Sequence, residues 1–299
     1  MFGIMVVSAA LSSCLSNTGT AACLMPVVLG ICAAAKIPAS RQLMPLAYAA
    51  GIGGVITMVG TPPNIIVSGV LTSFGYESFS FFEFAWIGIP LTFVVIAYMM
   101  FIGKYLLPKA ELDADQEIEQ EIEATVTDSK KQIVSGLILA VCIIVMALDL
   151  KAISLEMTAI VGALVCVLTG CLTEKQAYSA IDWVTIFLFA GMMPVSAAMD
   201  KTGAGKLIAE WAVSLMGGSP TPIIMTSVLG ASPKAVLMAI GVAASCAFAT
   251  PVGTPPCTLV LGPGGYKFMD YVKVGVPLVV LCFIVSIIVI PMVWPFFPG

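Results

Sequence analysis

The chain has 299 residues, of which 60% are hydrophobic and only 10% are charged. A soluble domain averages about 25% charged residues, so this composition excludes an ordinary water-soluble fold and predicts an all-α polytopic membrane protein. The formal net charge of −4 gives no basis for nucleic-acid binding, and the absence of histidine excludes histidine bases and histidine-bound metals. Asp149, Asp182 and Asp200 lie at the ends of apolar segments, which disfavours an intramembrane aspartyl protease, so we predict no enzyme.

The first feature along the chain is a polar cluster, 12–20, between two apolar segments, 2–15 and 20–35, which are both rather short for a full span. Two short helices with a polar tip are typical of a re-entrant hairpin. Its Asn and hydroxyl side chains supply oxygen ligands suited to a hard cation, and Asn17 and Thr18 can also donate to an anion. The alternative is that these hydroxyls only bond neighbouring helices.

A second polar interruption, Gly60-Thr61-Pro62-Pro63, divides the apolar segment that follows. Proline lacks a backbone donor and disfavours helix at the residue before it, so the helix is predicted to break here. The C-terminal end of the first half-helix attracts a cation, and the N-terminal end of the second attracts an anion. The break can therefore hold Na⁺ and a carboxylate or sulfate side by side. The alternative is a proline kink satisfied by neighbouring helices.

Three later apolar stretches are long enough for complete spans: 85–107, 153–172 and 270–296. The acidic stretch 108–131 lies after the first of them and is predicted to be a solvated linker. Lysines flank this linker on both sides, which places it in the cytoplasm. We therefore divide the chain into a first repeat, 1–107, the linker, and a second repeat, 132–299.

The repeat is visible in the sequence itself. The segment Thr57–Gly69 aligns without gaps on Thr250–Gly262, and eight of the 13 positions are identical. Both copies contain Gly-Thr-Pro-Pro, and both follow an apolar segment rich in small residues. Chance would give about one identity at ordinary residue frequencies, so the two breaks are predicted to be structural counterparts.

The Ser16-Asn17-Thr18 tip, followed by Gly60-Thr-Pro-Pro-Asn64 and a second Thr-Pro-Pro, resembles the divalent anion/sodium symporter family. The stretch 243–277 also looks like the C-terminal part of bacterial permeases of this group. The resemblance implies two inverted repeats, each with a hairpin and a broken helix. It further implies sodium-coupled symport of a dicarboxylate, citrate or sulfate by an elevator movement, often as a homodimer, in the bacterial inner membrane.

The same resemblance implies which residues bind each ligand. The sodium ligands come from the hairpin and the first break, with a mirror contribution from the second: Ser12, Ser16, Asn17, Gly60 and Gly253. The anion is expected to contact the hairpin tip and both Thr-Pro pairs: Asn17, Thr18, Thr61, Pro62, Thr254 and Pro255. Na⁺ is the implied coupling ion.

The chain departs from the family pattern in three places. It begins inside a membrane element, so we expect a truncated N-terminus that lacks the first scaffold helices. The segment 218–231 is too short for the two arms of a second hairpin, so the mirror Ser-Asn-Thr is predicted to be deleted. Cys257 stands where the first copy has Asn64, and a thiol is a poor ligand for Na⁺. The alternatives are thus a non-transporting remnant, a partner-dependent subunit, or an ion channel.

Overall fold

A computed structural model of the chain describes residues 1–73, 75–108, 129–148, 155–179, 181, 183–204, 207 and 232–295. Over these residues the chain forms helices and no strand, as the all-α prediction requires. The chain divides into two compact units, one made of residues 1–126 and 232–299 and the other of residues 127–231. Most of the predicted linker lies outside the described residues. The repeat boundaries stay a prediction.

The helices are numbered in chain order. The first unit begins with α1 (Phe2–Ser12), α2 (Asn17–Ala35), α3 (Leu43–Gly53), α4 (Pro62–Ser73) and α5 (Ala85–Leu106), whose Met99–Gly103 portion is a π-helical turn. The second unit contains α6 (Ser129–Ala147), α7 (Leu155–Leu168), α8 (Glu174–Ser179) and α9 (Trp183–Thr202). The first unit is completed by α10 (Pro233–Ser245), α11 (Pro255–Leu261) and α12 (Phe268–Val293).

Helices α1 and α2 form a hairpin at the predicted polar tip. The Ser16 side chain accepts a hydrogen bond from the Gly19 amide (3.1 Å), which caps α2 and lets it begin at Asn17. Helix α2 ends at Ala35 and is capped by Lys36, whose φ of 52° is left-handed. With 19 residues, α2 is long enough to cross a membrane, so the second arm is longer than the predicted 20–35 segment.

Two of the predicted spans are confirmed as long apolar helices, α5 with 22 residues and α12 with 26. Their outward faces carry large apolar side chains, among them Phe93 (73% exposed), Phe101 (73%) and Met292 (77%). Exposed apolar surface on this scale is what a lipid-facing helix presents. The two helices also bond to each other, because Tyr98 donates from its hydroxyl to the carbonyl of Val274 (2.8 Å).

The two copies of the motif start at opposite ends of α5. Ser40, just before α3, donates to the carbonyl of Pro108 beyond the C-terminal end of α5 (2.9 Å). Lys234, in the first turn of α10, pairs with Glu83 just before the N-terminal end of α5 (3.2 Å). A helix of this length separates its ends by about 33 Å. Helices α3 and α10 therefore begin far apart, although each leads into a Gly-Thr-Pro-Pro break.

In the second unit, α6 and α7 pack together, with Gly162 against the Cys142 thiol. Helix α7, with 14 residues, is shorter than the predicted span 153–172. Gly170, two residues after its last residue, has a φ of 70°. Such a left-handed glycine ends a helix. The predicted hairpin deletion at 218–231 lies outside the described residues.

Candidate functional site

The hairpin is fixed onto α3 by two buried serines that lie one turn apart on α1. Ser8 donates to the carbonyl of Leu46 (3.2 Å), and Ser12 donates to the carbonyl of Ala50 (2.6 Å). Both serine side chains are fully buried. The regular spacing explains the geometry, because residues four apart occupy one face of a helix. The hairpin tip is thereby held against the last turn of α3, where the break begins.

The Asn17 amide lies in a cluster of oxygen atoms at this junction. One end of the amide is 2.8 Å from the Ser12 hydroxyl, 2.9 Å from the Gly60 carbonyl oxygen and 3.2 Å from the Ala50 carbonyl oxygen. With nitrogen at that end, the amide donates to these atoms. With oxygen there, the Ser12 hydroxyl can donate to it, and the Gly60 and Ala50 carbonyl oxygens face it without a donor from Asn17.

The other end of the Asn17 amide points to the start of the second half-helix. It lies 3.3 Å from the Gly51 carbonyl oxygen and 3.4 Å from the Thr61 hydroxyl. Asn17 is the first residue of α2, and Thr61 directly precedes α4. The N-terminal ends of two helices therefore meet at one point, where both leave free amide groups and partial positive charge.

Close backbone approach makes this junction possible. A Cβ atom on Gly54 would collide with the Asn17 amide oxygen and lie 2.6 Å from the Gly60 carbonyl oxygen. A Cβ atom on Gly60 would in turn collide with the backbone of Gly54. Glycine is needed at both positions because there is no space for a side chain.

Asn64 bonds the carbonyl groups at the first break. It is fully buried, and its amide nitrogen donates to the carbonyls of Val55 (3.3 Å) and Thr57 (2.9 Å) at the end of the first half-helix. These carbonyls lack intrahelical partners because the helix has ended. Among the described residues, the Asn64 amide oxygen has no hydrogen-bond partner.

The structure brings together Ser12, Asn17, Gly60 and Thr61 of the predicted site residues. Ser16 is exposed and caps α2, so its side chain has a local partner instead of facing the oxygen cluster. Thr18 is half-buried and Pro62 is exposed, each beside a cluster member in sequence. The cluster contains no titratable side chain. Within the described residues, no group of three or more His, Cys, Asp or Glu could hold a metal.

The second break lies nearby, because α11 packs against both α2 and α3. Its Gly253 repeats the close approach of Gly60, since a Cβ there would collide with the carbonyl oxygen of Ala247, the counterpart of Gly54. The Thr254 hydroxyl donates to the Cys257 sulfur (3.1 Å), and Pro255 begins α11. The second break thus copies the first in backbone, but Ala247 has a methyl group where Gly54 leaves space for an amide.

Sequence reasoning missed the contribution of α5 and α12. Gly88 packs against the backbone of Val55 and Ile56, and Gly275 packs against the backbone of Phe248 and its neighbour Ala249. The signal was available, because Gly-Ile-Pro-Leu at 88–91 corresponds to Gly-Val-Pro-Leu at 275–278. The carbonyl of Ala50 was also missed, since main-chain ligands leave no mark in a sequence.

Comparison with known proteins gives the family. The citrate transporter family, CitMHS, matches residues 1–232. An uncharacterised transporter of Haemophilus influenzae is 29% identical over 329 aligned positions, which cover 94% of this chain and 70% of the relative. The sodium-dependent dicarboxylate transporter SdcS of Staphylococcus aureus is 23% identical over 363 positions, which cover 100% of this chain and 70% of SdcS.

The alignment with SdcS is longer than the chain. It has 363 positions against 299 residues, so at least 64 positions have no residue of this chain opposite them. The family match covers more than half of the chain and agrees with the resemblance noted in the sequence. The chain belongs to the citrate transporter family and is an integral membrane transporter, not an enzyme.

Proposed function

We propose that the protein is a secondary active transporter that couples the movement of Na⁺ to the uptake of a divalent anion, a dicarboxylate, citrate or sulfate. The family match supports an anionic substrate, and the similarity to SdcS, a sodium-dependent dicarboxylate transporter, supports both sodium and a dicarboxylate. Na⁺ is a transported ion here, so the site has to bind and release it.

The observation that carries the proposal is the oxygen cluster at Asn17. Ser12, the Ala50 carbonyl, the Gly60 carbonyl and the Asn17 amide supply neutral oxygen atoms from three separate segments. Neutral oxygens bind Na⁺ without the strong attraction of carboxylates, which suits an ion that must leave again. Unwound carbonyls and half-helix ends are the sodium ligands of many secondary transporters.

The anion is proposed to bind beside the cation at the meeting point of the helix N-termini. Asn17, Thr18 and Thr61 offer amide and hydroxyl donors there, and Pro62 exposes the first turn of α4. Thr254 and Pro255 would complete the site from the second break, whose helix α11 packs on α2. Bound Na⁺ adds positive charge to these dipoles, so each ligand is expected to increase the affinity for the other.

The proposed architecture is an inverted repeat with an elevator movement. Helices α3 and α10 begin at opposite ends of α5, and Gly88 and Gly275 support the two breaks in the same way. Both observations support an inverted relation between the copies. A homodimer in the bacterial inner membrane is part of the same proposal and follows from the family resemblance.

A second candidate function is that of a non-transporting remnant or a partner-dependent subunit. It is favoured by the 64 or more alignment positions that lack a residue of this chain, and by the methyl group of Ala247, which fills the space corresponding to the Asn17 amide. In this case the first half-site would bind ligands, but the chain alone would not carry them across a membrane.

A pair of matched variants tests the sodium site. Ser12→Ala removes a hydroxyl from the oxygen cluster, whereas Ser8→Ala removes an equally buried hydroxyl that also bonds a carbonyl of α3, one turn away. We expect thermal unfolding in detergent to shift upward with Na⁺ plus citrate or succinate, because a ligand of the folded state stabilises it. Ser12→Ala should raise the half-saturating Na⁺ concentration about tenfold, the effect of losing about 1.4 kcal/mol of binding.

Ser8→Ala should lower the unfolding temperature without changing the half-saturating Na⁺ concentration. Equal effects of both variants on that concentration would contradict the site assignment. No sodium-dependent shift in the parent protein, with citrate, succinate or sulfate, would contradict the proposed binding function itself. A shift without uptake by reconstituted protein would support the remnant.

A further inference from the structure

Tyr48 connects the first copy of the motif to the second. It lies in the middle of α3 and is fully buried. Its hydroxyl donates to the carbonyl of Phe248 (2.9 Å), and the two rings pack with centroids 5.0 Å apart. Phe248 follows α10 and precedes the second break. A side chain of the first copy therefore satisfies a backbone group at the break of the second.

The counterpart of Phe248 in the first copy is Val55. Continuing the ungapped alignment of the two motifs by two residues places Val55 and Ile56 opposite Phe248 and Ala249. The structure supports this pairing independently, because Gly88 contacts the backbone of the first pair and Gly275 contacts the backbone of the second. The Val55 and Phe248 carbonyls thus occupy equivalent positions at the ends of two half-helices.

The two carbonyls are satisfied by different residues. In the first copy, the Val55 carbonyl accepts a hydrogen bond from the Asn64 amide (3.3 Å). The residue equivalent to Asn64 is Cys257, which has no amide group and whose sulfur is bonded by Thr254. In the second copy the carbonyl is bonded by Tyr48 instead. A buried carbonyl without a partner is costly, so some donor is required at each position.

Both donors belong to the first copy, and their counterparts in the second copy are small residues. The residue equivalent to Tyr48 in the second copy is Gly241, and a Cβ on Gly241 would be 3.9 Å from the Asn64 amide oxygen and 3.2 Å from Val67. Asn64 therefore packs beside Gly241, the counterpart of Tyr48. Cys257, the counterpart of Asn64, lies in the second break, where Tyr48 supplies the donor. In both breaks the donor, Asn64 or Tyr48, therefore comes from the first copy, and the small residue, Gly241 or Cys257, comes from the second.

We infer that Tyr48 is a positioning residue of the second break. It supplies the donor that Asn64 supplies in the first break, and its bond to the Phe248 carbonyl holds the end of that half-helix in place. Through this bond the second break keeps its shape against α3 and presents Thr254 and Pro255 towards the first hairpin. The assignment of Tyr48 as the donor in place of asparagine is argued from the contacts alone. Its consequence for ligand binding rests on the proposed function.

The test compares Tyr48→Phe, Cys257→Asn and the double variant. Tyr48→Phe keeps the ring and removes the donor, so we expect the unfolding temperature without ligand to fall by about 4 °C. Hydrogen exchange should become faster at residues 246–262 and stay unchanged at 53–64. In the double variant the new asparagine can bond the Phe248 carbonyl as Asn64 bonds the Val55 carbonyl, so stability and protection should recover by at least half.

Tyr98→Phe is the matched control, because Tyr98 is also a buried tyrosine whose hydroxyl donates to a backbone carbonyl, that of Val274. It should lower stability without faster exchange at 246–262, and Cys257→Asn should not rescue it. Unchanged exchange at 246–262 in Tyr48→Phe would overturn the inference. The inference would also be overturned if Cys257→Asn lowered the stability of Tyr48→Phe and of Tyr98→Phe equally and left amide hydrogen exchange unchanged in both.

An anion titration in the presence of Na⁺ tests this inference separately from the proposed function. If the parent protein is stabilised by Na⁺ and anion, Tyr48→Phe should raise the half-saturating anion concentration about fivefold or more, and the double variant should reverse this change. If the parent protein shows no such stabilisation, the proposed function fails. The role of Tyr48 is then still decided by amide hydrogen exchange at 246–262 and by the rescue of Tyr48→Phe with Cys257→Asn.

Discussion

The two Gly-Thr-Pro-Pro breaks share a backbone design and differ in what holds them. The first is surrounded by polar side chains of its own copy, with Asn17 and Ser12 from the hairpin and Asn64 from the half-helix that follows. The second has the same glycine contact and the same proline start, but its carbonyl is held by Tyr48 from the other copy. Proline and glycine therefore create both breaks, whereas the polar partners of the first break are what make it the proposed binding site.

This difference favours the first break over the second as the proposed cation site. Gly54 leaves space that the Asn17 amide fills, next to the Ser12 hydroxyl and the Gly60 and Ala50 carbonyl oxygens. Ala247, at the equivalent position, brings its own methyl group to within 3.0 Å of a Cβ placed on Gly253. The first break is thus the one we propose for Na⁺, and the second contributes to the anion side.

The largest expected effect comes from Gly54→Ala. The φ of Gly54 is −64°, which alanine adopts freely, so the substitution tests space and not backbone strain. The new methyl group would collide with Asn17, so we expect loss of the sodium-dependent thermal shift and about 1–3 kcal/mol of destabilisation. The matched change Ala247→Gly should cost about 1 kcal/mol or less and preserve the shift.

A second, smaller effect is expected from Asn64→Cys, which gives the first break the residue of the second. The carbonyls of Val55 and Thr57 lose their donor, so the free energy of unfolding should fall by about 1–3 kcal/mol in denaturant titrations. Cys257→Ser is the control, because a hydroxyl can keep the contact with Thr254, and its effect should stay below about 1 kcal/mol. Equal effects of the two variants would remove the distinction between the breaks.

The smallest effect is expected at the ion pair beside the start of α10. The Glu83 and Lys234 side chains are 17% and 33% exposed, and such pairs contribute about 1 kcal/mol or less. Glu83 also accepts hydrogen bonds from the Ser80 amide (3.0 Å) and the Trp294 indole (2.9 Å). Glu83→Gln should therefore lower the unfolding temperature more than Lys234→Met does. The reverse order would show that the pair, and not the Glu83 network, anchors α10.

The sequence predicted the membrane class, the hairpin, both breaks and the spans at α5 and α12, because each depends on local composition or on proline and glycine. It also predicted that Ser12, Asn17, Gly60 and Thr61 act together, through the family resemblance. Membership of a transporter family is confirmed. The individual ligand roles stay predictions.

The remainder depends on contacts between distant segments. The Ser16 hydroxyl oxygen accepts a hydrogen bond from the Gly19 amide as a helix cap, a role that the sequence prediction for this serine did not include and that its residue type favours. Tyr48 looked like an ordinary apolar-helix residue, because its partner lies 200 residues away in the chain. The Ala50 carbonyl carries no sequence signal at all.

The most direct measurement of the central claim is uptake by purified protein in liposomes. Labelled succinate, citrate or sulfate would be offered with an inward Na⁺ gradient or an equal K⁺ gradient, and Asn17→Ala would be measured under the same conditions. We predict that one of these anions accumulates under the Na⁺ gradient alone and that Asn17→Ala abolishes the accumulation. Equal uptake under both gradients, or full uptake by Asn17→Ala, would contradict it.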